Sequence, residues 1–229
     1  IEGKRIGVVR SLAGFHAEVD ALFDRAIEDL RAAGATVIDD LEFDPPDGLG
    51  QAAYDVLLYE FKHDLNAYLA GLPGFDRLPA KTLEDLIAFN QRHADAEMPW
   101  FGQEVFEKSQ TKGTLEDPDY LEALKLTVDT SRSGIDTLLT EHDLDALVAP
   151  TGSAAWTIDL VNGDHFLGGS SSFPARAGYP NITVPMGMVH GLPVGISFIG
   201  TLLSEPTLVE IASAYEEATN RRVPPPMAR

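Results

Sequence analysis

The first forty residues constrain the fold most. RIGVVR (5–10) and ATVIDD (35–40) are short runs with the β-branched content of strands, and a helical pattern separates them. Within it Val19, Leu22, Phe23, Ala26, Ile27, Leu30 and Ala33 recur at helical spacing, and Gly34 stands where a helix end favours glycine. Strand, helix, strand over so short a length is a βαβ unit. Its two strands are expected to be parallel, with a right-handed crossover. That places the chain in the α/β class.

The remaining elements follow from periodicity and breakers. LEFDPPDGLG (41–50) is a connection rich in Pro and Gly. Helical patterns fill 51–70, 80–95 and 102–112, and a long amphipathic helix is expected from Tyr120 to Glu141, with Asp117-Pro118 at its start. DALVAPTG (145–152) reads as a strand stopped by a Pro-Thr-Gly turn. NITVPMGMV (181–189) and PVGISFIG (193–200) read as adjacent strands, the first of them buried. Ser204 is expected to cap a last helix running through Tyr215, with Pro206 in its first turn, and 220–229 form a tail. Trp100 and Phe101 are expected in the core or in a lid. No Gly/Ser-rich linker divides the chain, so 1–229 reads as a single α/β domain with a helical middle insertion.

Composition removes several function classes. With 229 residues the chain has ample length for a buried core. It has no cysteine, which excludes a disulfide framework, a thiolate metal site and a cysteine nucleophile. The formal net charge of −19 repels phosphate backbones and anionic lipid, so neither nucleic acid nor a membrane is an expected partner. No apolar run is long enough to span a bilayer, and the opening residues lack a secretory pattern. A soluble, cytoplasmic protein is expected. The chain opens in mid-phrase at Ile1, which reads as a fragment.

The candidate chemistry lies late in the chain. FLGGSSSFPARAGYPNITVPMG (166–187) carries Ser170, Ser171 and Ser172 behind two glycines. A serine nucleophile needs a base and donors for the anion that it creates. The G-x-S-x-G elbow is absent, and so is an S-x-x-K pair. The competing reading is a helix start capped by serine hydroxyls. The six histidines form no H-x-H, H-x-x-x-H or H-E-x-x-H pattern, so the sequence gives no support for a metal site. His165 lies close enough in sequence to the serines for a triad to remain open. Ligands of open α/β sheets bind beyond the carboxyl ends of strands, which makes Pro150 to Ser153 a candidate pocket rim.

Taken together, DALVAPT, the Gly/Ser-rich turn, AGYPNITVPMGMVHGLPVGISFIG, an acidic helix start and the RRVPPP tail resemble the C-terminal half of the amidase signature family. RIGVVR resembles the strand that opens that half, and YEFKHDLNAYLAGL (59–72) resembles a helix of its bacterial members. The resemblance implies an α/β/α sandwich around a mixed sheet. It also implies hydrolysis of a carboxylic amide by a Ser–Ser–Lys triad, without metal or organic cofactor. The first serine attacks the carbonyl, and the second relays a proton to a neutral lysine. The triad lies in the family's N-terminal half. GGSSSFPARAGYP (168–180) aligns with a late turn instead, because the nucleophile signature continues with Gly and Ala rather than with Phe173-Pro174. None of Lys4, Lys62, Lys81, Lys108, Lys112 and Lys125 matches the triad lysine's context. The resemblance therefore implies no catalytic residue in this chain. What it carries over is a substrate-pocket wall of Pro150, Thr151, Gly152, Ser170, Ser171, Ser172 and Phe173.

Two expectations from different classes follow. In the first, the chain is the C-terminal fragment of an amide hydrolase and is inactive alone. Its partner would be the N-terminal half, or a second copy joined through an exposed sheet edge, and its substrate a small-molecule amide. In the second, it is an independently folded, non-catalytic module that binds a small ligand. A third arrangement, hydrolysis by Ser170–Ser172 with His165, is the weakest.

Overall fold

A computed structural model describes residues 1–225. In chain order the elements are β1 (Arg5–Val9), α1 (Ala17–Ala32), β2 (Thr36–Leu41), α2 (Leu49–Ala70), α3 (Leu83–Arg92), α4 (Ala94–Glu97), α5 (Glu104–Gln110), α6 (Pro118–Glu141), β3 (Ala146–Pro150), α7 (Ser172–Ala177), β4 (Asn181–Val189), β5 (Leu192–Ile199) and α8 (Glu205–Thr219). They group into two compact units, one formed by Ile1–Pro45 with the residues from Val128 onward, the other by Pro46–Thr127.

The first unit is built on one sheet in the order β2-β1-β3-β5-β4. β1 is parallel to both β2 and β3, as the βαβ reading requires. β5 runs antiparallel to β3 and to β4, so the sheet is mixed. Alternation along the strands divides its side chains between two faces. On one face Ile6, Val8, Val148 and Phe198 pack with Val19, Phe23 and Ile27 of α1 and Leu208, Ile211 and Tyr215 of α8. On the other, Val9, Leu147 and Ile199 meet Ile135 and Leu139 of α6 and Phe173 of α7. The first crossover, through α1, thus covers the face opposite to α6.

Local chemistry sets the ends of these elements. His16 caps α1: its Nδ1 accepts from the amides of Glu18 at 3.2 Å and Val19 at 3.4 Å. Tyr179 donates to Asp136 Oδ2 at 2.7 Å and Arg132 Nε to the Ala177 carbonyl at 2.8 Å, which fastens α7 against α6. The bond to Asp136, with burial, holds the Tyr179 phenol above its ordinary pKa.

The second unit is helical. Val56, Tyr59 and Tyr120 form a small core, and Tyr120 donates to Glu60 Oε1 at 2.9 Å. Lys112 pairs with Asp55 at 2.6 Å, and Lys62 donates to the carbonyls of Gln110 and Lys112.

Three expectations change. Trp100 and Phe101 are 68% and 67% exposed, so they are not core. β4 is an edge strand with Asn181 exposed, not a buried one. Ser204 precedes α8, but its hydroxyl donates to the Thr201 carbonyl at 2.7 Å and caps no amide. Its backbone, at φ −90° and ψ 10°, is not the extended conformation that aims an N-cap side chain at the free amides. The 220–229 tail extends beyond the described residues.

Candidate active-site wall

The candidate wall is assembled where β3 ends. Pro150 is buried as the strand's last residue. The Thr151 amide donates to the Gly195 carbonyl at 2.8 Å, and the Thr151 carbonyl accepts from the Ser170 amide at 3.2 Å. Gly152 and Gly169 form an isolated antiparallel bridge. The intervening segment therefore leaves and returns at one point, so Thr151, Gly152 and Ser170 are brought together although the sequence separates them.

Beside this junction three hydroxyls converge on the face that carries α6 and α7. Thr151 and Ser197 lie 2.9 Å apart, Thr183 and Ser197 3.1 Å, and Thr151 and Thr183 3.4 Å. Gly195 leaves the space for them, since a Cβ there would stand 2.6 Å from Thr183 Cγ2 and 2.9 Å from Thr151 Oγ1. Thr183 and Ser197 were not foreseen from the sequence. Their register signal is the period of two in β4 and β5, which directs both to one face once the strands are paired opposite each other.

The serines separate into different environments. Ser170 is 1% exposed, and its hydroxyl has no hydrogen-bond partner among the described residues. Ser171 and Ser172 are exposed. The expected capping does not occur: Ser171 stands at the N-cap of α7 and its side chain bonds no amide. Its backbone is helical there rather than extended, which directs the hydroxyl away from the free amides. Phe173 is 2% exposed and packs in the core with its ring centroid 3.9 Å from that of Phe43.

A nucleophile needs a neighbouring base. Among the described residues no histidine ring is hydrogen-bonded to a serine hydroxyl; His63 meets Asp64 and His190 meets Glu18. Nor does any group of three or more His, Cys, Asp or Glu side chains among them form a metal cluster. Among the described residues no helix is long and apolar enough to cross a membrane.

The family model described as Amidase matches residues 2–209. A probable amidase of Arabidopsis thaliana is 38% identical over 231 residues, covering 98% of this chain and 40% of that protein. A glutamyl-tRNA(Gln) amidotransferase subunit from a Synechococcus strain is 29% identical over 242 residues, covering 98% of this chain and 44% of that protein. Among solved structures, a peptide amidase in complex with the competitive inhibitor chymostatin superposes with a TM-score of 0.89 at 42% identity, covering 99% of this chain and 45% of that one. The native peptide amidase of Stenotrophomonas maltophilia gives 0.85 at 42% identity, covering 98% and 44%. The chain thus spans less than half the length of these relatives, between 40% and 45%.

Proposed function

The chain belongs to the amidase family, and from that premise we propose that it forms the C-terminal part of a hydrolase cleaving the C–N bond of a carboxylic amide. The observation that carries this reading is the TM-score of 0.89 at 42% identity to a peptide amidase over 99% of the chain. The substrate is a small-molecule amide that yields a carboxylic acid and ammonia or an amine. Peptide amides are the first class to try, given that relative. No metal or organic cofactor enters the proposed reaction.

The described residues hold no serine with a bonded base, so the chain alone is inactive in this reading. It supplies part of the pocket wall, with Thr151, Gly152, Ser171 and Ser172 toward the surface and Pro150, Ser170 and Phe173 packed behind. The triad comes from an N-terminal half or a partner chain. Ile158 at 80%, Val161 at 91% and Phe166 at 66% exposure are in keeping with a missing cover, since large apolar groups left in water are covered where a partner packs on them. β2 and β4, as sheet edges, offer the alternative of pairing with a second copy. A cytoplasmic setting belongs to this reading, in keeping with the net charge of −19.

The test is ammonia release from simple amides and peptide amides. It is measured for the chain alone and for the chain co-purified with a triad-bearing N-terminal half. Turnover only by the pair is expected. Turnover by the chain alone, lost in Ser170→Ala, Ser171→Ala or Ser172→Ala, would overturn the inactive-fragment reading. A folded pair that turns over no amide would overturn the hydrolase reading.

A further inference from the structure

We propose that the crevice beyond the carboxyl ends of β3 and β4 binds a small apolar carboxylate. The topology selects the place. In the order β2-β1-β3-β5-β4, the strands β1, β3 and β4 end on the same side of the sheet, because β5 runs antiparallel to both of its neighbours. Open α/β sheets take their ligands beyond these carboxyl ends. Ser153 follows β3 and Val189 ends β4, and both line a cavity of about 300 Å³ together with His16, the cap of α1. That volume suits one ring or branched chain with a polar end group.

The lining defines the ligand. Ala154, Trp156, Leu167, Val189 and Leu192 give apolar walls. His16, His165, His190 and Ser153 supply the polar atoms, so half of the chain's six histidines meet in one crevice. Among the described residues no Asp or Glu lines it, in a protein of net charge −19. The carboxylates bonded near it are already engaged. Glu18 takes His190 Nε2 at 2.9 Å, Asp164 takes the Trp156 indole N–H at 2.6 Å, and Asp159 takes the amides of Val161 and Asn162.

Two atoms are poised as donors. The Ser153 hydroxyl oxygen is fully buried and has no hydrogen-bond partner among the described residues, a cost that a ligand acceptor would remove. Because His16 Nδ1 accepts from the amides of α1, the neutral ring carries its proton on Nε2. The helix amides are thereby taken, so binding rests on side chains and not on the helix end. An apolar group against Leu192 and Val189, with its carboxylate toward Ser153 and the imidazoles, satisfies all of these features.

The experiment uses the 229-residue chain carrying Trp100→Phe, which leaves Trp156 as the reporter of the two indoles. Phenylacetate, phenylacetamide and acetate are titrated against its fluorescence, with thermal melting as the check on folding. Saturable quenching by phenylacetate is expected, with affinity for phenylacetamide and acetate lower by about tenfold or more. Ser153→Ala and His165→Ala should each weaken phenylacetate by about tenfold with unchanged melting. Equal affinity for the acid and the amide would overturn the proposal. So would binding undiminished in both folded variants, or no saturable change in a folded chain. Binding is read without turnover, so a failed ammonia assay leaves this result standing, and the reverse holds too.

Discussion

The Ser197 hydroxyl lies 2.9 Å from that of Thr151 and 3.1 Å from that of Thr183, joining β4 and β5 to the residue that follows β3. Ser197 is fully buried, whereas Thr151 is half-buried and Thr183 exposed. Removing the central hydroxyl leaves the two threonines with their 3.4 Å contact and with water. Ser197→Ala is therefore expected to cost about 1 kcal/mol, the net worth of a satisfied hydrogen bond. Urea unfolding should show a lower midpoint at unchanged slope. An unchanged midpoint would mean that the cluster is incidental to stability.

That cluster marks the limit of what the sequence revealed. The βαβ unit and the late strand pair were legible because apolar periods of 3.6 and 2 survive in Val19 to Ala33 and in NITVPMGMV. Thr151 and Ser170 were legible as neighbours of a strand end. Ser197 and Thr183 were not, since a hydroxyl within a strand looks like any solvent-facing residue until the pairing is known. The crevice was hidden for a similar reason: His16 and Ser153 are distant in sequence, and only the strand order brings them together. The serine caps failed because Ser171 adopts a helical backbone and Ser204 bonds its own turn.

Tyr215 is fully buried, and its hydroxyl has no hydrogen-bond partner among the described residues, while the Thr219 hydroxyl donates to the Tyr215 carbonyl. Burial is the main cause that pushes its pKa to about 12. The folded state holds this proton more tightly than the unfolded chain, whose tyrosines titrate near about 10. Stability is therefore present below about pH 10 and declines as pH rises toward the folded value. Tyr215→Phe should be neutral or stabilising at pH 7, by up to about 1 kcal/mol, and should flatten the alkaline decline. A marked loss at pH 7 would point to an unseen partner for the hydroxyl.

Gly134 in α6 lies under Phe43, where a Cβ would come within 2.4 Å of the ring and within 3.2 Å of Phe173. Gly134→Ala must displace Phe43 from its place on Phe173. A cost of about 1–3 kcal/mol is expected, as for other overpacked sites. Phe43→Ala removes the obstacle, so the double variant should lose less than the sum of the single changes. Strict additivity would show that the ring already moves freely.

Asp39 receives Arg10 in a two-pronged pair, Nε to Oδ1 at 2.7 Å and Nη2 to Oδ2 at 2.8 Å. Arg10 also reaches Asp24 at 2.7 Å, and Arg31 stands 3.6 Å from Asp39. The hydrogen bonds from Arg10 are the largest cause holding the Asp39 carboxyl below its ordinary pKa, against an opposing effect of burial. A depressed folded pKa means that the contribution is present above the unfolded value of about 3.9 and is lost as pH falls through the folded one. Asp39→Asn should lower stability at pH 7 and leave a shallower acid limb. Variant and parent should converge toward pH 2, because the parent's carboxylate is then protonated as well. Added salt should narrow the gap at pH 7 in part, since the pair is partly exposed. Urea midpoints measured from pH 7 to pH 2 decide the matter: parallel curves would place the acid sensitivity on other carboxylates.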